Sequence, residues 1–327
     1  MTRYLAAFAC LAIIGCDPTE DDTDTDTDDG VCENGVVSTY PENNAYYRDT
    51  IEVTFKAKDD NATITVSTGG TDVPGVSVWS ESGKTLVFTP TNALVPETTY
   101  DVAISYECGE PDFSFTTSVV GDASTAADLI DKTYVLDLAS GRFVKPAGVG
   151  PLLQQYLTID ILIGVTDANA TTIEMLGALA DDGSVAIVQD MCTESIAFPA
   201  AADFTENPYF SVGPDNTTIS VMGYTISIDD LAISGAFAPD GTYIAGAVLA
   251  GAVDTRPLIP LIDETQDDDY LCNLVGTMAG VECEACSDGT GDFCLTLLVT
   301  NIAADLEPDL TLVERTANDI AADASCP

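Results

Sequence analysis

Not one histidine occurs in the 327 residues, and only 10 Lys and Arg stand against 54 Asp and Glu. The first absence removes the usual general base, the usual activator of a nucleophile and the commonest transition-metal ligand. Catalysis would have to rest on carboxylates, Lys, Tyr or Ser. No Gly-x-Ser-x-Gly elbow, Ser-x-x-Lys pair or phosphate-cradling loop is present either, so a non-enzymatic protein is expected. The shortage of basic groups leaves a formal net charge of -44. Such a charge keeps molecules apart and repels phosphate, which argues against nucleic acid as a partner and makes divalent cations the natural counter-ions. What remains is globular in composition, 46% hydrophobic with 25 Gly and 16 Pro, and long enough for about two domains.

The chain begins with Met1-Thr2-Arg3, a short positive stretch. The apolar run Tyr4–Ile14 and then Gly15-Cys16 follow. The run is too short to span a bilayer as a permanent helix, so residues 1–15 read as an export signal. An ordinary secretory signal with an incidental Cys would share these features. Ile13-Ile14-Gly15-Cys16 is similar to the lipobox of bacterial lipoproteins. That resemblance implies cleavage before Cys16, a diacylglyceryl thioether on its sulfur and an acylated amino terminus. The lipid transfer needs a thiolate nucleophile, and two or three acyl chains anchor stably. The expected place is the bacterial cell envelope, outside the cytoplasm. Asp17 resembles an inner-membrane retention signal of some bacteria, and the choice between inner and outer membrane stays open.

Residues 16–31 continue with DPTEDDTDTDTDDG. Repulsion along this stretch predicts an extended, disordered tether. The calcium loop of an EF-hand would need Gly at its sixth place and Glu at its twelfth. Counted from Asp24 those places hold Asp29 and Gly35, so that pattern fails.

From residue 32 to 118 short β-branched and aromatic runs recur: Val36–Tyr40, Ile51–Ala57, Ala62–Ser67, Val76–Trp79, Thr85–Thr89, Tyr100–Glu107 and Asp112–Thr117. Turn residues such as Gly69-Gly70 and Ser82-Gly83 separate them. Such spacing predicts a β-sandwich. Tyr40-Pro41-Glu42-Asn43-Asn44, Ile51-Glu52-Val53-Thr54-Phe55, Val78-Trp79, Leu86-Val87-Phe88-Thr89-Pro90, Leu94 to Tyr100 and Phe115-Thr116-Thr117 also resemble the bacterial Ig-like domain of the SbsA type. The resemblance implies an immunoglobulin-like sandwich that serves surface proteins as a spacer or binding module, with no shared catalytic residues. Trp79 and Tyr100 are expected in its core. Cys32 and Cys108 flank the unit. In an oxidising compartment a disulfide between them would tie the entering chain to the last hairpin, worth on the order of 4 kcal/mol by loop entropy.

Residues 119–127 form a short connection of small and polar residues. The remainder, 128–327, reads as mainly antiparallel strand with about two helices, either a second sandwich or a partly closed barrel. Strands are expected at Thr133–Leu138, Leu157–Val165, Thr172–Leu179, Val185–Gln189, Thr217–Met222, Leu231–Ala238, Tyr243–Leu249 and Phe293–Thr300. Helices are expected at Thr125–Lys132 and Asp267–Met278, the latter with Tyr270, Leu271, Leu274, Val275 and Met278 on one face and Gly280 past its end.

Six cysteines lie here: Cys192, Cys272, Cys283, Cys286, Cys294 and Cys326. Cys272, Cys283, Cys286 and Cys294 could be drawn as a four-thiolate zinc site. Behind an export signal, disulfides are the expected reading, and the eight cysteines that remain after Cys10 and Cys16 can pair completely. Arg256 is the only basic residue between Lys145 and Arg315. Two roles fit it: a structural ion pair at a strand end, or an anchor for an anionic ligand. Asp160, flanked by isoleucines, is expected on a solvent face.

The leading expectation is a non-catalytic surface or periplasmic binding or structural module, its partner an envelope or surface protein. Two alternatives are a carrier holding an apolar or lipidic ligand in the C-terminal domain, and a calcium-dependent adhesion-type protein. No cofactor is expected. Calcium is an addition that the composition admits, since hard oxygen ligands abound in Asp181-Asp182, Asp267–Asp269 and Asp288–Asp292, with solvated acid as the default reading. None of these matches a defined loop, and no catalytic residues are assigned.

Overall fold

The computed structural model describes residues 34–80, 82–146, 160–181, 186–198, 200–221, 224–260 and 266–326. The export signal, Cys16, the tether, Cys32 and part of the expected strands at 157–165 and 185–189 lie outside them. Among the described residues no helix is long and apolar enough to cross a membrane.

Alternation sets the first sheets. In Ile51-Glu52-Val53-Thr54-Phe55 every second side chain is apolar, and those three are buried, as period 2 requires of a strand with one face inward. The eight strands are β1 (Val36–Tyr40), β2 (Ile51–Phe55), β3 (Thr63–Thr68), β4 (Thr71–Asp72), β5 (Gly75–Trp79), β6 (Thr85–Pro90), β7 (Thr99–Ser105) and β8 (Asp112–Thr116). They form two four-stranded sheets, β1-β2-β6-β5 and β4-β3-β7-β8. Between the sheets lies one core of Ile51, Val53, Phe55, Val66, Phe88, Val102, Ile104 and Phe115. The seven expected strands are present. The eighth, β4, spans two residues and is too short to show a period. It exists because Gly69 and Gly70 both take positive φ, 55° and 78°, the left-handed pair that a tight hairpin of the I′ kind needs.

Tyr100 sits in this core as expected. Its ring stacks on Phe115 with centroids 5.5 Å apart. Its hydroxyl accepts the backbone N–H of Val95 at 2.8 Å, so the buried ring leaves no polar atom unpaired. Trp79 packs its ring 5.6 Å from Phe55 but is only half-buried.

The second half closes on itself. Its strands are β9 (Thr133–Asp137), β10 (Arg142–Lys145), β11 (Ile161–Ala168), β12 (Thr172–Leu179), β13 (Ile196–Ala197), β14 (Ala202–Asp203), β15 (Tyr209–Val221), β16 (Tyr224–Phe237), β17 (Tyr243–Asp254) and β18 (Cys294–Glu307). The order β9-β11-β12-β14-β15-β16-β17-β18 returns to its start, because β18 also pairs with β9 through Ala304 opposite Leu136 and Leu306 opposite Tyr134. Eight strands thus form a closed barrel, with β10 and β13 outside the ring. Of the two expected alternatives the structure takes the barrel and closes it fully. Closure leaves no sheet edge within the ring.

An eight-stranded barrel is just wide enough for side chains to fill, and here aromatic rings do so. Phe237 lies 5.0, 5.5 and 6.0 Å from Phe210, Tyr134 and Phe204, centroid to centroid. Tyr134 donates its hydroxyl proton to the carbonyl of Gly241 at 3.0 Å.

Strands β15 to β18 run 12 to 14 residues, against 8 for β11 and β12. They therefore continue past the ring as a four-stranded ribbon. Its register puts Ile219, Ile226, Ile228, Val253 and Leu295 on one face and Thr218, Ser227, Asp229 and Asp254 on the other.

The helices differ from expectation in extent. Thr125–Lys132 is only a single 3-10 turn, Ala126–Leu129, with extended backbone at both ends. Helix α1 (Tyr270–Ala279) ends at Gly280, whose φ of 68° is the left-handed cap. Val275 packs on Leu295. Met278, expected on the same face, is exposed. Asp267 supplies its backbone carbonyl to Tyr270 rather than its carboxylate. Helix α2 (Ala317–Ala322) was not legible. It buries no side chain, so it carries no apolar period, and the capping box of Thr316 and Asp319 starts it. Of the expected strand ending at Gln189, the described residues 186–189 form no strand. Gln189 makes one isolated bridge with Ala180.

Candidate functional site

Two places bring rare charged residues together: a polar cleft on the ribbon and the junction between sandwich and barrel. The cleft, about 390 Å³, is lined by Asn216, Thr218, Ser227, Asp229, Asp254 and Asp288 among others. The ribbon supplies its floor, and the disulfide-stapled loop after α1 supplies its wall. Asp229 ties floor to wall by accepting the backbone N–H and hydroxyl of Ser287 at 2.9 and 2.6 Å.

Arg256 stands at the edge of this cleft in a 3-10 turn following β17. Its Nε and Nη2 donate to the two oxygens of Asp254 at 2.9 and 2.7 Å. Nη2 also reaches Asp288 at 2.9 Å, and Nη1 reaches the Thr290 hydroxyl at 2.5 Å. The guanidinium carbon lies 5.0 Å from the Phe293 ring centroid. Most of the donor fork is thereby used within the protein. The ion pairs with Asp254 and Asp288 pin the end of β17 to the stapled loop. Asp288, with the Thr290 hydroxyl and N–H and then Arg256 donating to it, is held down to about 2.

The loop owes its shape to two disulfides, Cys272–Cys283 and Cys286–Cys294. The two halves of the Cys-x-x-Cys pair thus bond in different directions, and none of the four sulfurs is a free thiolate for zinc. A third bridge joins Cys192 to Cys326 across 134 residues. Cys108 is disulfide-bonded, and Cys32, its expected partner, lies outside the described residues. Among the described residues no three His, Cys, Asp or Glu side chains gather as a metal would require. Asp182 of the first acidic stretch is not described, and Asp160 is exposed.

The junction was not foreseen. Residues 34–327 group as one compact unit, and the connection at 119–127 is packed rather than loose. Val120 is buried with Tyr46, Tyr47, Ala236 and Ala238. Ser124 exchanges hydrogen bonds with the Asn207 amide, N–H to Oδ1 at 2.9 Å and Nδ2 to the Ser124 carbonyl at 2.8 Å. Tyr46 lies flat on β17, where a Cβ on Gly246 would come 2.3 Å from its ring. Two arginines clasp the halves. Arg142 of β10 grips both oxygens of Glu52 on β2, at 2.7 and 2.5 Å. Arg48 pairs with Glu206 and places its guanidinium 3.9 Å from the Tyr209 ring centroid. Beneath Arg142, Asp49 accepts the Tyr40 hydroxyl and the Tyr46 N–H, both at 2.8 Å. Burial nevertheless raises its carboxyl to about 6. The partners lie 90 and 158 residues apart, so no local pattern marks them. The signal that could have found them is scarcity, since in a chain with 10 basic residues each one merits the attention Arg256 received.

Comparison with known proteins bears on the first half. Residues 34–117 match the family described as bacterial Ig-like domain. No curated protein matches the chain. Among solved structures, the N-terminal part of the bacterial S-layer protein SbsC is 17% identical over 46% of this chain and 41% of that one, with a TM-score of 0.22. The S-layer protein rSbsC(31-844) is 12% identical over 86% of this chain and 54% of its own, also at 0.22. The Ig1-2 module of the Drosophila receptor protein tyrosine phosphatase DLAR is 9% identical over 46% and 91%, again at 0.22. The chain spans less than half of the N-terminal SbsC structure, and superpositions this loose carry no argument. The family match falls on β1 to β8, where two sheets enclose one core. Residues 34–117 are a bacterial Ig-like domain.

Proposed function

We propose that the chain is a lipid-anchored, extracytoplasmic module without catalytic activity, in which the Ig-like domain holds the barrel at a fixed orientation and the barrel meets the partner. One observation carries this reading: the Ig-like domain and the barrel share a packed junction closed by Arg142–Glu52 and Arg48–Glu206. A flexible spacer would have no use for such a clasp. The Ig-like family match supports a surface or structural role, and Ile13-Ile14-Gly15-Cys16 supports the anchor. The carrier alternative is less well supported, since aromatic rings occupy the barrel centre.

Small-angle scattering on the mature chain should give one rigid particle, and Glu52→Ala with Glu206→Ala should broaden its distance distribution. A wild-type profile that requires two independently moving bodies sinks the rigid reading. In membranes, Cys16→Ser should abolish partitioning into detergent, and unchanged partitioning would remove the anchor.

A further inference from the structure

The barrel's outer face carries an arrangement that neither the Ig-like match nor the junction explains. After β18 the chain doubles back, and Leu312 inserts against Leu162, Leu176 and Ala178 on β11 and β12. A Cβ on Gly164 would lie 3.1 Å from Leu312 Cδ1, so the pocket floor is cut to fit that side chain. The next residues are held by their backbone. The Gln189 amide donates to the Val313 carbonyl at 2.7 Å and accepts the Val313 N–H at 2.8 Å. Two residues on, the Ser195 N–H donates to the Arg315 carbonyl at 3.0 Å, and its hydroxyl accepts the Arg315 N–H at 2.8 Å. Alternate residues thus offer both backbone groups to the same loop, the pattern by which a receptor holds an added extended strand. Arg315 completes it, with Nε on the Met191 carbonyl at 2.8 Å and Nη2 on Asp323 at 3.0 Å.

We infer that residues 186–198 and the outer face of β11 and β12 form a groove for an extended peptide, filled here by the chain's own segment Thr311–Thr316 and locked by the Cys192–Cys326 disulfide. The groove reads the backbone of the segment and an apolar side chain at the Leu312 place, and it offers the Met191 carbonyl to a guanidinium three positions later. Its partner is an extended, solvent-borne peptide of that chemistry. Beyond residue 316 the tail buries no helical side chain, so the disulfide and the Arg315–Asp323 ion pair are what fasten that end. While the bridge is closed the segment is held at both ends and a free peptide is excluded. Once it is open the segment stays tethered through β18 alone and competes at an effective concentration near millimolar, so a free peptide binds in that range. Opening it takes a dithiol reductant. The reductant's two thiols supply two electrons and two protons, the Cys192–Cys326 bond breaks into two thiols, and the reductant closes its own disulfide.

The test uses the whole mature chain with Cys192→Ser and Cys326→Ser, which leaves the other bridges intact, and a fluorescein-labelled peptide of the sequence Thr311–Thr316. Saturable binding is expected to the variant and not to the oxidised wild type. The same peptide with Asp at the Leu312 place should bind at least tenfold more weakly. Hydrogen exchange at the Val313 and Arg315 amides should quicken in the variant. If the variant does not fold, mild reduction of the wild type replaces it, with peptide mapping to show that this bridge has opened. Absent binding after opening, equal binding before and after, or indifference to the Asp substitution each overturns the inference.

Discussion

At the scale of single residues, Asp49 and Asp288 show how one side chain type takes opposite values. Asp288 is exposed and receives hydrogen bonds to its charged form, which lowers it; Asp49 is buried under the junction, which raises it to about 6. The consequences for stability have opposite signs. Unfolded, Asp49 titrates near 3.8, so the folded chain holds that proton more tightly. Its contribution is therefore greatest below about pH 4 and is lost as pH rises through 6, by up to roughly 3 kcal/mol. Asp288 contributes above 3.8, and that contribution disappears as pH falls through 2. Between pH 7 and pH 5 the wild type should gain melting temperature relative to Asp49→Asn, which keeps an acceptor for Tyr40 or Tyr46. The comparison removes the general relief of repulsion that acid brings to both. Parallel melting curves would mean that Asp49 does not carry its proton in the fold.

At the scale of elements, the strands were legible where one face is buried and short runs alternate, as in β2. The barrel strands are longer than the local pattern predicts, because β15 to β18 run on past the ring as a ribbon, and β18 exchanges β9 for β10 along its length. Leu295 is as apolar as a core residue, yet it packs on Val275 of α1 rather than in the barrel interior. The disulfides also rank by the element they tie. Cys192–Cys326 closes 134 residues and Cys286–Cys294 only 8, which by loop entropy is roughly 5 against roughly 2.5 kcal/mol. Replacing the first pair by serine should lower the urea midpoint about twice as far as replacing the second. An equal loss would show that the contacts of Val313 and Arg315 with Gln189 and Ser195, and not the bridge, restrain the tail.

At the scale of the whole molecule, a net charge of -44 makes the folded state a concentrated source of repulsion that the unfolded chain can spread out. Sodium chloride should raise the melting temperature as the screening length falls to about 10 Å at 0.1 M. A further rise with millimolar calcium at matched ionic strength would mean a specific site that only the native state offers. Equal rises leave screening as the whole cause, and a melting temperature indifferent to both would show that water already disperses the charge.

Local order and composition were enough to settle the Ig-like domain, the β class of the rest, the improbability of histidine chemistry and the position of α1 before Gly280. These follow from period, turn chemistry and residue inventory, all of which act within a few residues. Tertiary structure alone decided that the barrel closes, since closure depends on β9 meeting β18 about 170 residues later in register. It alone decided which cysteines pair, that Arg256 is spent on Asp254 and Asp288, that Arg48 and Arg142 clasp the junction, and that the C-terminal segment lies in a groove on the barrel. The longest-range of these, such as Arg142 with Glu52 and Cys192 with Cys326, join residues 90 and 134 apart, where free energy depends on three-dimensional proximity and the linear pattern carries no trace of it.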